Sequence, residues 1–292
     1  MGHRALILGG GGPVGIAWEL GLAAGLEERG VRIASADRIV GTSAGSFAGA
    51  ALASGRPAEA LVRAQVEQGE RDRAARKAAP DGERRAAPDL GPLMKFMSRR
   101  PAEGEPPASL RAEIGAYALA AKTMPEAQFI ASFGSIASSG ETWPAGFACT
   151  AVDAADGSFH VWEESSGVGL GHAIASSCSV PGVFPPITIH GRRYIDGGMR
   201  SATNFDLGKG YERVLLVAVL SNMGLDFMRA RIDGEVAALK ASGAKVELIT
   251  PDTNCREAFG NNLMDASRRG DVALAGVVQG RAEAGRIATF WN

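Results

Sequence analysis

The chain is poor in cysteine and histidine, nearly neutral, and free of long apolar runs, and each scarcity removes a class of protein. Three cysteines in 292 residues, Cys149, Cys178 and Cys255, stand far apart. They offer neither a metal-binding spacing nor a disulfide framework, and they fit a reducing compartment. Lys and Arg number 31 against 32 Asp and Glu, so a net charge of −1 gives no field that would gather nucleic acid. No stretch of about 18 apolar residues is present, so the pattern implies no transmembrane helix. The first strand-like run begins at Arg4, which leaves no room ahead of it for a signal peptide. These absences together predict a cytoplasmic protein with no metal and no cofactor. Aromatics are only 6% of the residues, so the core must come from the aliphatic part of a 46% hydrophobic content.

What is present alternates. Ala5–Leu8 reads as a strand and 14–29 as a helix closed by Gly30. Arg38–Gly41 reads as a second strand and 44–54 as a second helix, with another helix at 58–68 after Gly55-Arg56-Pro57. Further strands are expected at 147–152 and 158–162 around Asp156-Gly157, in a hairpin at 187–195 around His190-Gly191, and at 214–220 and 245–250. A long Ala-rich helix is expected over 262–283. Strand–helix alternation predicts an α/β fold, a mostly parallel central sheet with helices on both faces. No linker divides the chain, so residues 1–292 read as a single domain.

Gly41-Thr42-Ser43-Ala44-Gly45 follows the second strand directly. A Gly-x-Ser-x-Gly at a strand-to-helix turn lifts a serine hydroxyl out of the backbone, and any Cβ at Gly41 or Gly45 would strike neighbouring chain. In a chain with 39 glycines the same pentapeptide could also be a small-residue turn. Gly9-Gly10-Gly11-Gly12-Pro13-Val14-Gly15 follows the first strand, and its consecutive N–H groups could hold an anion or an oxyanion. Pro13 suits the first turn of a helix. Gly10-x-Gly12-x-x-Gly15 also fits a dinucleotide-binding fingerprint, but that motif needs an acid at the end of the second strand. Here Asp37 precedes that strand and the serine turn follows it. Tyr194-Ile195-Asp196-Gly197-Gly198 places an acid at a strand end, where it could be a general base or a plain Asp-Gly turn.

Taken together, the glycine-rich loop, Gly-x-Ser-x-Gly and Asp-Gly-Gly, in this order, resemble the patatin-like phospholipases. The run Ala175-Ser176-Ser177-Cys178-Ser179-Val180-Pro181-Gly182-Val183-Phe184-Pro185-Pro186 and the following Gly191 to Gly198 are similar to the same family. The resemblance covers about 4–55 and 145–220. It implies a three-layer patatin-like fold with the nucleophile elbow after the second strand. It also implies a Ser43–Asp196 dyad without histidine, and an oxyanion hole at Gly10, Gly11 and Gly12. Gly15, Gly41, Gly45, Gly197 and Gly198 then support the turns. The implied activity is hydrolysis of a lipid or carboxylic ester through an acyl-enzyme. Two departures stand out. Val14 occupies a position where the family usually has Arg or Lys, and Phe205 replaces the proline of an Asn-Pro at Asn204.

The histidines bear on the dyad. None of His3, His160, His172 and His190 follows Asp196, so a triad using that acid would break the usual Ser, acid, His order. Ser43–Asp153–His190 and Ser43–Asp156–His190 remain formally open. His160 and His190 read as structural residues of strands, and His172 as the start of a helix.

About 70–140 matches no motif and reads as a cap or insertion. It holds Arg71-Asp72-Arg73-Ala74-Ala75-Arg76-Lys77 and the apolar patch Leu93-Met94-Lys95-Phe96-Met97. It is either a solvated insertion with one helix pinned to the body, or a mobile cap that shields an acyl chain or touches a membrane surface transiently. The expected partner is a lipid or ester substrate, with no nucleic acid. The rival readings are an acyltransferase on the same scaffold and a non-catalytic nucleotide- or anion-binding regulatory module.

Overall fold

The computed structural model describes residues 3–78, 89–101, 104–134, 142–219 and 226–292. Its centre is one sheet of eight strands: β1 (Arg4–Leu8), β2 (Arg38–Gly41), β3 (Phe147–Asp153), β4 (Phe159–Trp162), β5 (Ile187–Ile189), β6 (Arg192–Asp196), β7 (Arg213–Val217) and β8 (Lys245–Ile249). The order is β5-β6-β3-β2-β1-β7-β8, with β4 paired to β3. Strands β3, β2, β1, β7 and β8 run parallel. β6 and β4 pair antiparallel with β3, and β5 antiparallel with β6. The α/β fold with a mostly parallel sheet is as expected. β1 lies between β2 and β7, so the chain leaves it in opposite directions, and the carboxyl ends of β1 and β2 stand at this switch point of the sheet.

The helices follow from the same sequence signals. Helix α1 (Gly12–Glu27) begins at the glycine loop with Pro13 in its first turn. It ends in a left-handed Gly30 whose N–H bonds Glu27 O while Val31 N–H bonds Leu26 O. Helices α2 (Ala44–Ala53) and α3 (Ala58–Ala78) follow, and α3 runs ten residues past its expected end. Its final turns make ion pairs with the end of the chain: Asp72 with Arg269, Arg73 with Asp271, and Arg76 with Asp265. Those partners are distant in sequence, so the extension could not be read locally.

The last helix starts later than expected. It is α10, Arg269–Trp291, preceded by α7 (Leu170–Ser177), α8 (Asp226–Ala241) and α9 (Thr253–Phe259). Asn262 and Asp265 turn their side chains onto the N–H groups of Met264 and Ser267, which competes with helix before residue 269. α10 packs closely along α1, where Gly21 and Gly25 face Gly276 and Gly280, and Trp18 Nε1 donates to Gln279 Oε1 at 2.9 Å.

The middle segment forms α4 (Gly91–Met97), α5 (Ala108–Ala120) and α6 (Glu126–Ala131) among the described residues. α5 is wedged against the sheet. A Cβ on Gly115 would sit 2.0 Å from Ala154 O, and Leu110, Ile114 and Ala118 share a core with Leu93, Val152 and Ile195. This stretch is therefore held by packing at α5. Residues 79–88, 102–103 and 135–141 of the expected cap, and the end of the strand expected at 214–220, lie outside the described residues. None of the described helices is long and apolar enough to cross a membrane.

Candidate active site

Ser43 sits between β2 and α2 with φ 53° and ψ −118°, a conformation a serine adopts only under constraint. The flanking glycines provide the constraint. A Cβ on Gly41 would lie 2.2 Å from Gly45 O, and one on Gly45 would lie 2.3 Å from Leu8 O. The backbone of Ser43 is also tied to the end of α7. Its N–H donates to Ser177 Oγ at 3.0 Å, and its carbonyl accepts from Ser46 Oγ at 2.5 Å and Cys178 Sγ at 3.1 Å. The result is a buried serine, 8% exposed, at the amino end of α2.

Asp196 ends β6 and caps the short turn Gly197–Met199. Its Oδ1 accepts the Gly198 N–H at 2.7 Å. Antiparallel pairing sets Asp196 opposite Ala151 of β3, and its own N–H bonds Ser179 O at 3.0 Å. Gly197 fits there because a Cβ would lie 2.1 Å from Thr150 Oγ1. The fold thus brings Ser43 and Asp196 together from positions 153 residues apart, with the Ser43 N–H held by Ser177 Oγ and the Asp196 N–H by Ser179 O two residues on, close enough for the Ser43 hydroxyl to act on the Asp196 carboxyl. Burial pushes the Asp196 carboxyl up to about 7, against the opposing pull of the Ser43 hydroxyl, the Gly198 N–H and the Arg100 charge.

The glycine loop lies beside them. Gly10 N–H donates to Ala202 O at 2.7 Å and is therefore engaged, while the N–H groups of Gly11 and Gly12 take no partner from the described residues. Gly12 holds φ +60° at the start of α1, and Gly15 packs near Ala44 of α2. Val14 is fully buried in the main core, so in this chain the position where the family usually has Arg or Lys points inward.

Thr42, Thr150 and Asn204 tie the two halves of the site together. Thr42 Oγ1 and Thr150 Oγ1 are 2.9 Å apart, and Asn204 Nδ2 donates to Thr42 Oγ1 at 3.0 Å and to Ser201 O at 2.8 Å. Asn204 is left-handed, with φ 48°. Phe205 is fully buried in the core beside β1 and β7, and its N–H approaches Glu235 Oε2 at 3.4 Å, a contact proline could not make. Ser177, Cys178 and Arg100 were not legible as parts of a site. Ser177 and Cys178 lie in the run from Ala175 to Pro186 that carries the family resemblance, whereas Arg100 stands in no motif.

The histidines lie elsewhere in the contact network. Asp153 and Asp156 both bind Arg192, and Asp153 also accepts the Ala155 N–H. His160 stacks on Trp162 and meets Tyr194 edge-on. His190 is exposed at the hairpin turn with φ 49°. The acids of the two formal triads are thus engaged with a cation rather than with a histidine.

A family model described as patatin-like phospholipase matches residues 6–208. With most of its length matched, the chain belongs to the patatin-like phospholipase family and is an ester-bond hydrolase of that family. No curated protein sequence matches it. Among solved structures it is similar to VipD from Legionella pneumophila, at 13% identity and a TM-score of 0.39, over 96% of this chain and 67% of that one. It is similar to the type III effector protein ExoU at 18% identity and a TM-score of 0.35, over 96% and 53%. The ExoU–SpcU complex of the Pseudomonas aeruginosa type III secretion system gives 20% identity and a TM-score of 0.38, over 96% and 52%. This chain spans about half the length of the last two.

Proposed function

We propose that this member of the patatin-like phospholipase family hydrolyses lipid or carboxylic esters through a Ser43–Asp196 dyad and an acyl-enzyme. Asp196 takes the proton of Ser43 Oγ as the oxygen attacks the ester carbonyl. The free N–H groups of Gly11 and Gly12 stabilise the oxyanion, helped by the amino end of α2, and Gly10 holds the loop in place through Ala202. Asp196 then returns the proton to the leaving alcohol, and water repeats the cycle on the acyl-enzyme. The observation that carries this reading is a serine strained at an elbow beside a buried carboxyl. Burial helps the chemistry, because a carboxyl raised to about 7 is a better base than one at its ordinary value of 3.8.

Val14 removes a cation from the loop, so the reading extends to esters without a phosphate as readily as to phospholipids. The test is labelling with a fluorophosphonate serine probe, followed by peptide mass spectrometry. Modification of Ser43 that is lost in Asp196→Asn supports the dyad. Folded protein that stays unlabelled at Ser43 and binds anions at the glycine loop would make a regulatory module the better account. Product analysis with added alcohols separates hydrolysis from acyl transfer.

A further inference from the structure

Arg100 lies just past α4, outside every motif in the sequence, yet it reaches the turn behind the acid. Its Nη2 donates to Gly198 O at 2.9 Å and to Met199 O at 2.6 Å. The N–H of the same Gly198 donates to Asp196 Oδ1 at 2.7 Å. The guanidinium therefore holds the carbonyl side of the same glycine whose N–H holds the carboxyl. The Arg100 Nε is buried and unpartnered, so this placement is costly and needs an anion to offset it.

The surrounding charges identify that anion. Burial lowers the Arg100 pKa to about 10, and the charges of Arg231 of α8 and Arg111 of α5 act in the same direction, while Asp196 acts the other way. Arg231 already has Glu235 at 3.3 Å, and Arg111 has Glu105 at 3.6 Å. The groups facing Asp196 are then few. Ser43 of the elbow is neutral. Cys178 at the end of α7 is kept a neutral thiol by burial, and burial pushes the carboxyl of Glu19 of α1 well above its ordinary range, against ionisation. Thr150 of β3 carries no charge. Among the described residues, the Arg100 guanidinium is the cation whose charge favours the Asp196 carboxylate, and it is seated on the turn that follows that acid.

We propose that Arg100 is a positioning residue for the dyad, clamping the turn behind Asp196 and favouring its ionised form, so that the middle segment takes part in the chemistry. This rests on the Ser43–Asp196 reading. The test is kcat/KM against pH on a soluble p-nitrophenyl ester, for wild type, Arg100→Gln, Arg100→Lys and Asp196→Asn, with circular dichroism to show folding. In Arg100→Gln the acid limb should move up by at least about half a pH unit, so that the loss is several-fold at pH about 6.5 and smaller at pH about 9. A folded Arg100→Gln whose limb stays in place, with an equal loss at every pH, would mark a purely structural role and overturn the proposal. If Arg100→Gln does not fold, Arg100→Lys decides. An ammonium keeps the charge but not the two-carbonyl clamp, so the limb should stay while kcat falls about two- to tenfold, and an unchanged kcat refutes the clamp. Asp196→Asn separates the two levels. Retained activity there ends the dyad reading and the Arg100 role with it. An inactive Asp196→Asn beside an unmoved Arg100→Gln limb ends only the Arg100 role.

Discussion

Asp196→Asn should abolish activity and at the same time stabilise the fold, and the stabilisation should depend on pH in a defined direction. The folded carboxyl is raised to about 7 from an ordinary 3.8, chiefly by burial. Below the ordinary value both folded and unfolded chains hold the proton, and the stability linked to it is fully present. As pH rises, the unfolded chain releases its proton first, and that stability is lost through the window up to the folded value. At about 1.4 kcal/mol per unit, a shift of roughly 3 units gives an upper bound of about 4 kcal/mol above pH 7. Asparagine carries no charge to desolvate and keeps an oxygen for the Gly198 N–H, but weakens the contact with Ser43. The net gain should therefore be about 1–3 kcal/mol, a rise in Tm on the order of 2–8 °C. Thermal melts at pH 8 and pH 4 test this. The variant should be clearly more stable at pH 8, and the gain should shrink toward zero at pH 4. A variant that melts below wild type at pH 8, or by the same difference at both values, refutes burial as the cause.

Gly45→Ala should lower stability by about 2 kcal/mol or more and remove Ser43 labelling, because the new Cβ would meet Leu8 O at 2.3 Å on rigid backbone; urea melts and probe labelling check both. Glu19 is buried with both carboxyl oxygens unpartnered, and burial raises its pKa well above the ordinary range. Glu19→Met should therefore raise Tm at pH 8 more than at pH 4, with little change in kcat/KM, and a loss of stability at pH 8 would show an unseen polar partner. His160→Ala and His190→Asn should each keep most ester turnover. A loss of about a hundredfold or more in either, in folded protein, would point to a histidine base and against the dyad.

Much of the site was written in local sequence because its parts obey local rules. The elbow needs Gly41 and Gly45 at fixed spacing from Ser43, whatever else the chain does. The glycine loop is readable between a strand and a helix, and Asp196-Gly197-Gly198 at a strand end. Most strands fell within a residue or two of their expected ends, since the sheet is buried and its apolar runs are bounded by turn residues. The extension of α3 and the delayed start of α10 were not readable. The first depends on acids some 190 to 200 residues away, and the second on side-chain turns at Asn262 and Asp265 that compete with helix.

The sequence by itself determined the class of fold and the chemical groups on offer, because hydrophobic period and turn chemistry act over a few residues. Tertiary structure decided which of those groups meet. The pairing of β6 with β3 brings Asp196 to Ser43, and burial there raises the carboxyl far from its ordinary range. Ser177 and Cys178 fix the backbone of the elbow, Ala202 takes the N–H of Gly10, and Arg100 arrives behind the acid from an unrelated segment. Desolvation and long-range contact exist only once the chain is packed, and no spacing of residues along the sequence encodes them in readable form.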